Sequence, residues 1–151
     1  MTSPRISVII PHLNQPAHLA RCLASLAAGR RRPDQVIVVD NGSKVLPQDV
    51  LAAHPGTLLL QEPVPGPGPA RNRGIGAATG EILAFIDADC LADPAWLQAA
   101  EAAMADPAAT ILGGDVRIAR TDPARMTALE AYESLYAYRM DRYIAREGFT
   151  G

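Results

Sequence analysis

The chain has 151 residues, 48% of them hydrophobic and 20% charged, with a formal net charge of −2. That is the length of one domain, too apolar for a disordered chain and without the basic excess of a nucleic-acid binder. Two cysteines, Cys22 and Cys90, are too few for a disulfide framework and lack the close partners of a zinc cluster, so both read as reduced thiols. The apolar run after Met1 ends at Pro11, too short for a signal-peptide core or a membrane span, which makes a cytoplasmic protein the expectation.

Ile6-Ser7-Val8-Ile9-Ile10 is a β-branched run that reads as a buried strand. Leu19, Cys22, Leu23 and Leu26 repeat at helical spacing and stop before Gly29. Gln35 to Val39 is a second buried strand, closed by the turn cluster Asp40-Asn41-Gly42-Ser43. A short helix is expected within Val45–His54 and a third strand at Thr57–Leu60. Glu62 to Pro69 packs four prolines and two glycines into eight residues. Lying between a strand and a helix, it reads as a functional loop and not a linker. Ala70–Thr79 is expected to be a helix stopped by Gly80, and Ile82–Ile86 a fourth strand buried on both faces. Asp93-Pro94 marks the start of a helix running to about Met104. A fifth strand is expected from Thr110 to Ile118. From about 122 to 147 the pattern is a long amphipathic helix, with Leu129, Tyr132, Tyr136, Met140 and Tyr143 on one stripe.

Strands alternating with helices imply an α/β fold, a mostly parallel sheet with helices on both faces. Ligands of such sheets bind beyond the carboxyl ends of the strands. Asn14, Asp40, Asp87 and Asp89 all fall there. Asp87-Ala88-Asp89 is the sharpest signal. In extended backbone its two carboxylates face one space, where their repulsion is relieved by a hard divalent cation shared with phosphate. A solvated turn capping a helix is the plainer alternative. Asp40 can accept from a base or ribose donor, or equally close an Asx-turn. Arg71-Asn72-Arg73-Gly74 opens a helix where free N–H groups and two guanidiniums suit a diphosphate. Gly74-Ile75-Gly76 through Gly80 imitates a dinucleotide fingerprint, but in the wrong context, between a helix and a strand. His12 can line the pocket, while His18 and His54 read as surface residues. Arg30-Arg31-Arg32 reads as a solvated turn. No histidine is positioned to activate Cys90 as a nucleophile. The tyrosine stripe packs into a core, or serves a partner or a membrane surface.

Four motifs in order resemble the family 2 glycosyltransferases, whose catalytic domain has the GT-A fold. They are Ser7-Val8-Ile9-Ile10-Pro11-His12-Leu13-Asn14, Val38-Val39-Asp40-Asn41-Gly42-Ser43, Pro69-Ala70-Arg71-Asn72-Arg73-Gly74 and Phe85-Ile86-Asp87-Ala88-Asp89, with Gly113-Gly114-Asp115 a weaker extension. The resemblance implies an inverting, metal-assisted transfer from a UDP- or GDP-linked sugar. Pro11, His12, Asn14, Asp40 and Asn41 would surround the base and ribose, Asp40 accepting from the base. Arg71 or Arg73 would hold the diphosphate, and Asp87 would lie near the ribose. Asp89, with Asp87, would bind Mn2+ or Mg2+. The acceptor would be a saccharide or lipid-linked group of the kind used in cell-envelope polysaccharide synthesis. An oligomer contact or a peripheral contact at the inner face of the membrane would use the tyrosine-rich helix.

The sequence departs from the family in one respect. The family's base usually lies in a downstream Glu-Asp motif, and this chain has no Glu-Asp dipeptide. Asp115 is the one substitute that position suggests. The expectation is therefore a single domain over 1–151, with residues 1–120 as donor-binding core, forming the N-terminal portion of a longer enzyme whose acceptor half is missing here. A non-catalytic sugar-nucleotide-binding or partner module is the competing reading. An aspartate-nucleophile phosphatase would carry its Asp pair after the first strand, and a nucleotidyltransferase would need a Gly-rich basic loop there.

Overall fold

The computed structural model describes residues 3–120, 122 and 124–136, except the side chains of residues 135 and 136. The chain divides into two units, residues 1–110 and 111–151.

The first unit alternates strand and helix throughout. Its elements are β1 (Ile6–His12), α1 (Pro16–Ala27), β2 (Gln35–Asp40), α2 (Gln48–Ala52), β3 (Leu58–Gln61), α3 (Pro67–Ile75), β4 (Ile82–Phe85) and α4 (Trp96–Met104). The strands form one parallel sheet in the order β3-β2-β1-β4. Alternate residues face opposite sides. Ile6, Val8, Ile10, Val38, Ile82 and Ala84 pack with Leu19, Cys22, Leu23 and Leu26 of α1 and Leu97 of α4. Ile9, Ile37 and Val39 face the other way onto Ala70 of α3. Each large side chain fully buried in this way contributes about 1.5–3 kcal/mol.

Helices thus lie on both faces, but the second face is thinner than expected. On β4, Leu83 and Phe85 are exposed while Ile82 and Ala84 are buried. The expectation of a strand buried on both sides fails here because α3 packs on β1, β2 and β3.

Helix α3 begins at Pro67, earlier than the expected Ala70, and ends at Ile75, well short of Thr79. Gly66, at φ 117°, makes the sharp entry, and the fixed φ of Pro67 suits the first helical position. Thr79 is drawn off instead by Gln35, whose Oε1 accepts from its backbone N–H at 2.9 Å. The false fingerprint also finds its reason. A Cβ on Gly74 would lie 2.4 Å from Ile9 Cγ2, and one on Gly80 would lie 2.6 Å from Ser7 N. Gly74 makes room for the buried Ile9 side chain and Gly80 lets backbone approach backbone, which accounts for both without a phosphate loop. At α4, Asp93 caps a preceding turn, its Oδ1 accepting from Ala95 N–H at 2.8 Å, and the helix itself starts at Trp96.

Arg31 is no solvated turn residue. Its guanidinium donates to Asp34 at 2.7 Å, to Glu101 at 2.9 Å and to Pro4 O at 3.0 Å, tying the chain before β1 and β2 to α4.

The second unit corrects two expectations. Residues 110–120 form no strand, and Ile111 is 89% exposed. A strand without a partner fixes its backbone with no ladder in return, and Gly113-Gly114 raises that cost. The last described helix, α5, spans Ala128–Tyr136 and does not begin near 122. Asp122 instead closes a turn, accepting from Ala124 N–H at 2.9 Å. Thr127 and Glu130 then form a capping box, Thr127 N–H donating to Glu130 Oε2 and Glu130 N–H to Thr127 Oγ1. Of the expected stripe, Leu129 and Tyr132 are exposed. Met140, Tyr143 and the Tyr136 side chain lie outside the described residues, as does the rest of the expected helix. None of the described helices is long and apolar enough to cross a membrane.

Candidate nucleotide and metal site

Sheet order and one proline locate the site. β1 continues to β2 on one side and meets β4 on the other, so the topological switch lies between β1 and β4. On β1, His12 O accepts from Asn41 on the β2 side, and Ile9 O accepts from Ile86 N–H on the β4 side. Pro11 therefore turns its nitrogen toward β4, where it has no proton to donate. The β1–β4 pairing ends at Ile9 with Phe85, whereas β1–β2 pairing runs on to His12 with Asp40. Pro11 unzips one seam of the sheet and leaves the other closed.

The metal candidates border that seam. Asp87-Ala88-Asp89-Cys90 is not extended, as the sequence argument assumed, but a turn closed by Cys90 N–H to Asp87 O at 3.0 Å. Ala88 plugs the core while Asp87 and Asp89 remain exposed. Arg71 reaches Asp87 from α3, Nη2 to Oδ1 at 2.6 Å. Both partners are largely solvated, so this ion pair adds little to stability. Arg73 is exposed two positions further along α3, and helix residues two apart do not face each other. The structure brings Arg71, and not Arg73, to the carboxylate turn.

Both thiols report the charge of that turn. Burial pushes Cys22 up to about 12, helped by Cys90, Asp89 and Asp87. Burial also raises Cys90, with Asp89 and Asp87 adding to it. Neither thiol is a nucleophile. Burial dominates both shifts, and the smaller negative field of the two carboxylates is one that favours a cation. The donor set suits a hard divalent ion only in part: two solvated carboxylates, and no group of three or more His, Cys, Asp or Glu among the described residues that could hold a metal. Phosphate oxygens would have to complete such an ion's shell.

At the closed seam the side chains turn inward. His12 and Asp40 are each 2% exposed. Asp40 Oδ1 accepts from Gly42 N–H at 3.1 Å and Ser43 N–H at 2.9 Å, the Asx-turn weighed as an alternative. Its Oδ2 lies 3.0 Å from His12 Nδ1. His12 Nε2 accepts from Gln15 N–H at 3.2 Å, so the network assigns the neutral ring with its proton on Nδ1, donating to Asp40. His12 is buried, with both ring nitrogens engaged by protein partners. Asn41 is also spent. Its Nδ2 donates to Glu62 O and Val64 O, both at 2.8 Å, and its Oδ1 accepts from Gly66 N–H at 2.7 Å. It clamps the Pro/Gly loop and sets the entry of α3. Asn14, at φ 53°, joins the loops after β1 and β2, its N–H donating to Ser43 Oγ at 2.8 Å and its Oδ1 accepting from Lys44 N–H at 2.9 Å. Ser43 and Gly74 are working residues that sequence reasoning missed. A Ser in a turn and a Gly in a helix carry no signal of their distant partners.

Burial alone would raise the Asp40 carboxyl, but the donors of Ser43, His12 and Gly42 outweigh it and hold the group below the ordinary carboxylate value. Asp34 is also held low, by Ile6 N–H first and then Arg31. A lowered folded value gives stability that is complete above the unfolded value and is lost as pH falls through the folded one. The urea midpoint is therefore expected to drop as pH is taken below about 4. Asp40→Asn should lose part of that dependence, and an unchanged acid profile in this variant would contradict the assignment.

Comparison with known proteins agrees with the fold. A mannosyltransferase from Pyrobaculum calidifontis in complex with GDP-Man and Mn2+ matches at TM-score 0.63 and 30% identity, over 71% of this chain and 34% of its own. Residues 1–349 of S. aureus TarS in complex with UDP match at TM-score 0.61 and 27% identity, over 68% and 32%. The first unit is thus a GT-A nucleotide-sugar transferase fold. Residues 7–150 match the Glycosyl transferase family 2 profile, and the chain belongs to that family. Glycosyltransferase AglE of Haloferax volcanii is 32% identical over 96% of this chain and 49% of its own length. The chain spans about half of that relative.

Proposed function

We propose that this chain is the donor-binding portion of an inverting glycosyltransferase that uses a UDP- or GDP-linked sugar. The observation that carries the reading is the exposed Asp87–Asp89 turn at the split seam, with Arg71 at 2.6 Å from Asp87. UDP on one structural neighbour and GDP-Man with Mn2+ on another support a nucleotide-sugar ligand and a divalent ion.

In this reading Pro11 and Asn14 border the nucleoside, and Asp40 accepts from the base with the lone pair on Oδ2 that His12 leaves unused. Arg71 exchanges part of its contact with Asp87 for a phosphate oxygen, and Asp87 turns toward the ribose and the ion. Asp89 and Asp87 would hold a divalent ion, which would supply charge stabilisation for the leaving nucleotide diphosphate. The acceptor hydroxyl oxygen bonds to the anomeric carbon as the sugar–phosphate bond breaks, and its proton passes to a base. Asp115 is exposed and accepts from Arg117 Nε at 2.7 Å, so we do not assign that role to it.

Calorimetry of the 151-residue chain with UDP and GDP, each with and without Mn2+, tests the reading. Binding of one nucleotide that requires the ion is expected. Heats indistinguishable from dilution for both nucleotides would overturn it.

A further inference from the structure

We propose that His12 is a positioning residue for base recognition, holding the Asp40 carboxylate in the one orientation that leaves an Oδ2 lone pair for a base N–H. The inference rests on the reading that Asp40 meets the base. His12 and Asp40 are cross-strand partners at the carboxyl end of the closed seam. Asp40 Oδ1 is spent on the N–H groups of Gly42 and Ser43, and the side chain is only 2% exposed, so a base could meet it only through the narrow opening at Oδ2. The turn bonds hold the carboxylate by Oδ1 alone, which leaves the tilt of Oδ2 to a partner on the other side. The Nδ1–H of His12 at 3.0 Å holds it, and that proton is confined to Nδ1 because Nε2 accepts from Gln15 N–H at 3.2 Å. Gln15 is the N-cap of α1 and has no side-chain cap bond, so the ring also fixes where that helix starts. Ser43 Oγ, 3.4 Å from Nδ1, borders the same nitrogen. One imidazole therefore links the end of β2 to the start of α1 and decides the direction of the acceptor between them.

The two halves of the ring can be separated. An Asn side chain places an amide N–H near the Nδ1 position and can still donate to Asp40. A Gln side chain reaches the Nε2 position and can accept from Gln15 N–H but leaves Oδ2 unheld. The probes are UDP against N3-methyl-UDP, and GDP against N1-methyl-GDP, each with Mn2+, and inorganic pyrophosphate with Mn2+ as a base-free control. The native chain is expected to prefer the unmethylated nucleotide by about tenfold or more, the worth of a hydrogen bond to a charged group. His12→Asn should keep that preference. His12→Gln and His12→Ala should reduce it to within about threefold, with pyrophosphate binding unchanged. Preference retained in His12→Gln, or UDP and pyrophosphate weakened equally in His12→Gln and His12→Ala, would overturn the positioning role alone. A native chain indifferent to methylation would overturn the reading of Asp40 as the base acceptor, and this inference with it. Should His12→Ala fail to fold, the contrast between Asn and Gln decides.

Discussion

Asp89→Ala is expected to weaken Mn2+-supported nucleotide binding by about 100-fold or more, since losing a group that merely supports a ligand costs roughly 10–100-fold in metal affinity. Asp89 is exposed, and among the described residues its side chain accepts from Cys90 Sγ at 3.6 Å, a weak donor. It is the carboxylate of the turn that carries no competing cation. Asp87 is already neutralised by Arg71, so an ion arriving at Asp87 alone must displace a guanidinium. Removing Asp89 leaves only that poorer ligand, while the fold has little reason to change. Titration of Mn2+ and UDP into the variant, with its urea midpoint as control, checks this. An affinity within about threefold of the native chain would remove Asp89 from the metal site. Mn2+ alone should bind the native chain weakly, because two carboxylates fill only part of a shell of about six oxygens.

Gly74→Ala is expected to destabilise the first unit by about 1–3 kcal/mol, the usual cost of overpacking a filled core. The added Cβ would lie 2.4 Å from Ile9 Cγ2, and Ile9 is fully buried at the centre of the sheet. Neither atom has room to yield, so α3 must lift from β1. Arg71 lies one turn earlier on the same helix, and its reach to Asp87 should lengthen with it. Nucleotide affinity should therefore fall together with stability. Ile9→Ala removes the clashing atom, at a cost of about 2–5 kcal/mol by itself. The double variant should be less destabilised than the sum of the two, a coupling expected only for groups in contact. Strict additivity in urea denaturation would refute the contact.

Much of this was legible before any coordinates. Ile6–Ile10, Gln35–Val39 and Ile82–Ile86 are β-branched or apolar runs bounded by turn residues, and the strands formed at Ile6–His12, Gln35–Asp40 and Ile82–Phe85. The Asp-Asn-Gly-Ser cluster announced its Asx-turn, because that motif satisfies itself within four residues. The strand expected at Thr110–Ile118 did not form. Its β-propensity was real, but a strand also needs a neighbour, and a local pattern says nothing about neighbours. α5 was misplaced at its start because the apolar period alone set the expected boundary, whereas the capping box of Thr127 and Glu130 sets the observed one.

By itself, the sequence determined the alternation of strand and helix, the two-faced core and the gathering of Asp40, Asp87 and Asp89 at strand ends. These follow from periodicity and turn chemistry, which act over a few residues. Only the tertiary structure decided which polar groups at the strand ends are buried on partners and which stay exposed. His12 and Asn41 look like pocket residues in the chain, yet both are spent on partners 21 to 28 residues away. Arg71 and Arg73 look interchangeable until one of them meets Asp87. A polar side chain at a strand end can satisfy itself inward or outward at similar local cost. The choice falls to whichever distant donor or acceptor the fold brings within 3 Å, and no nearby residue records it.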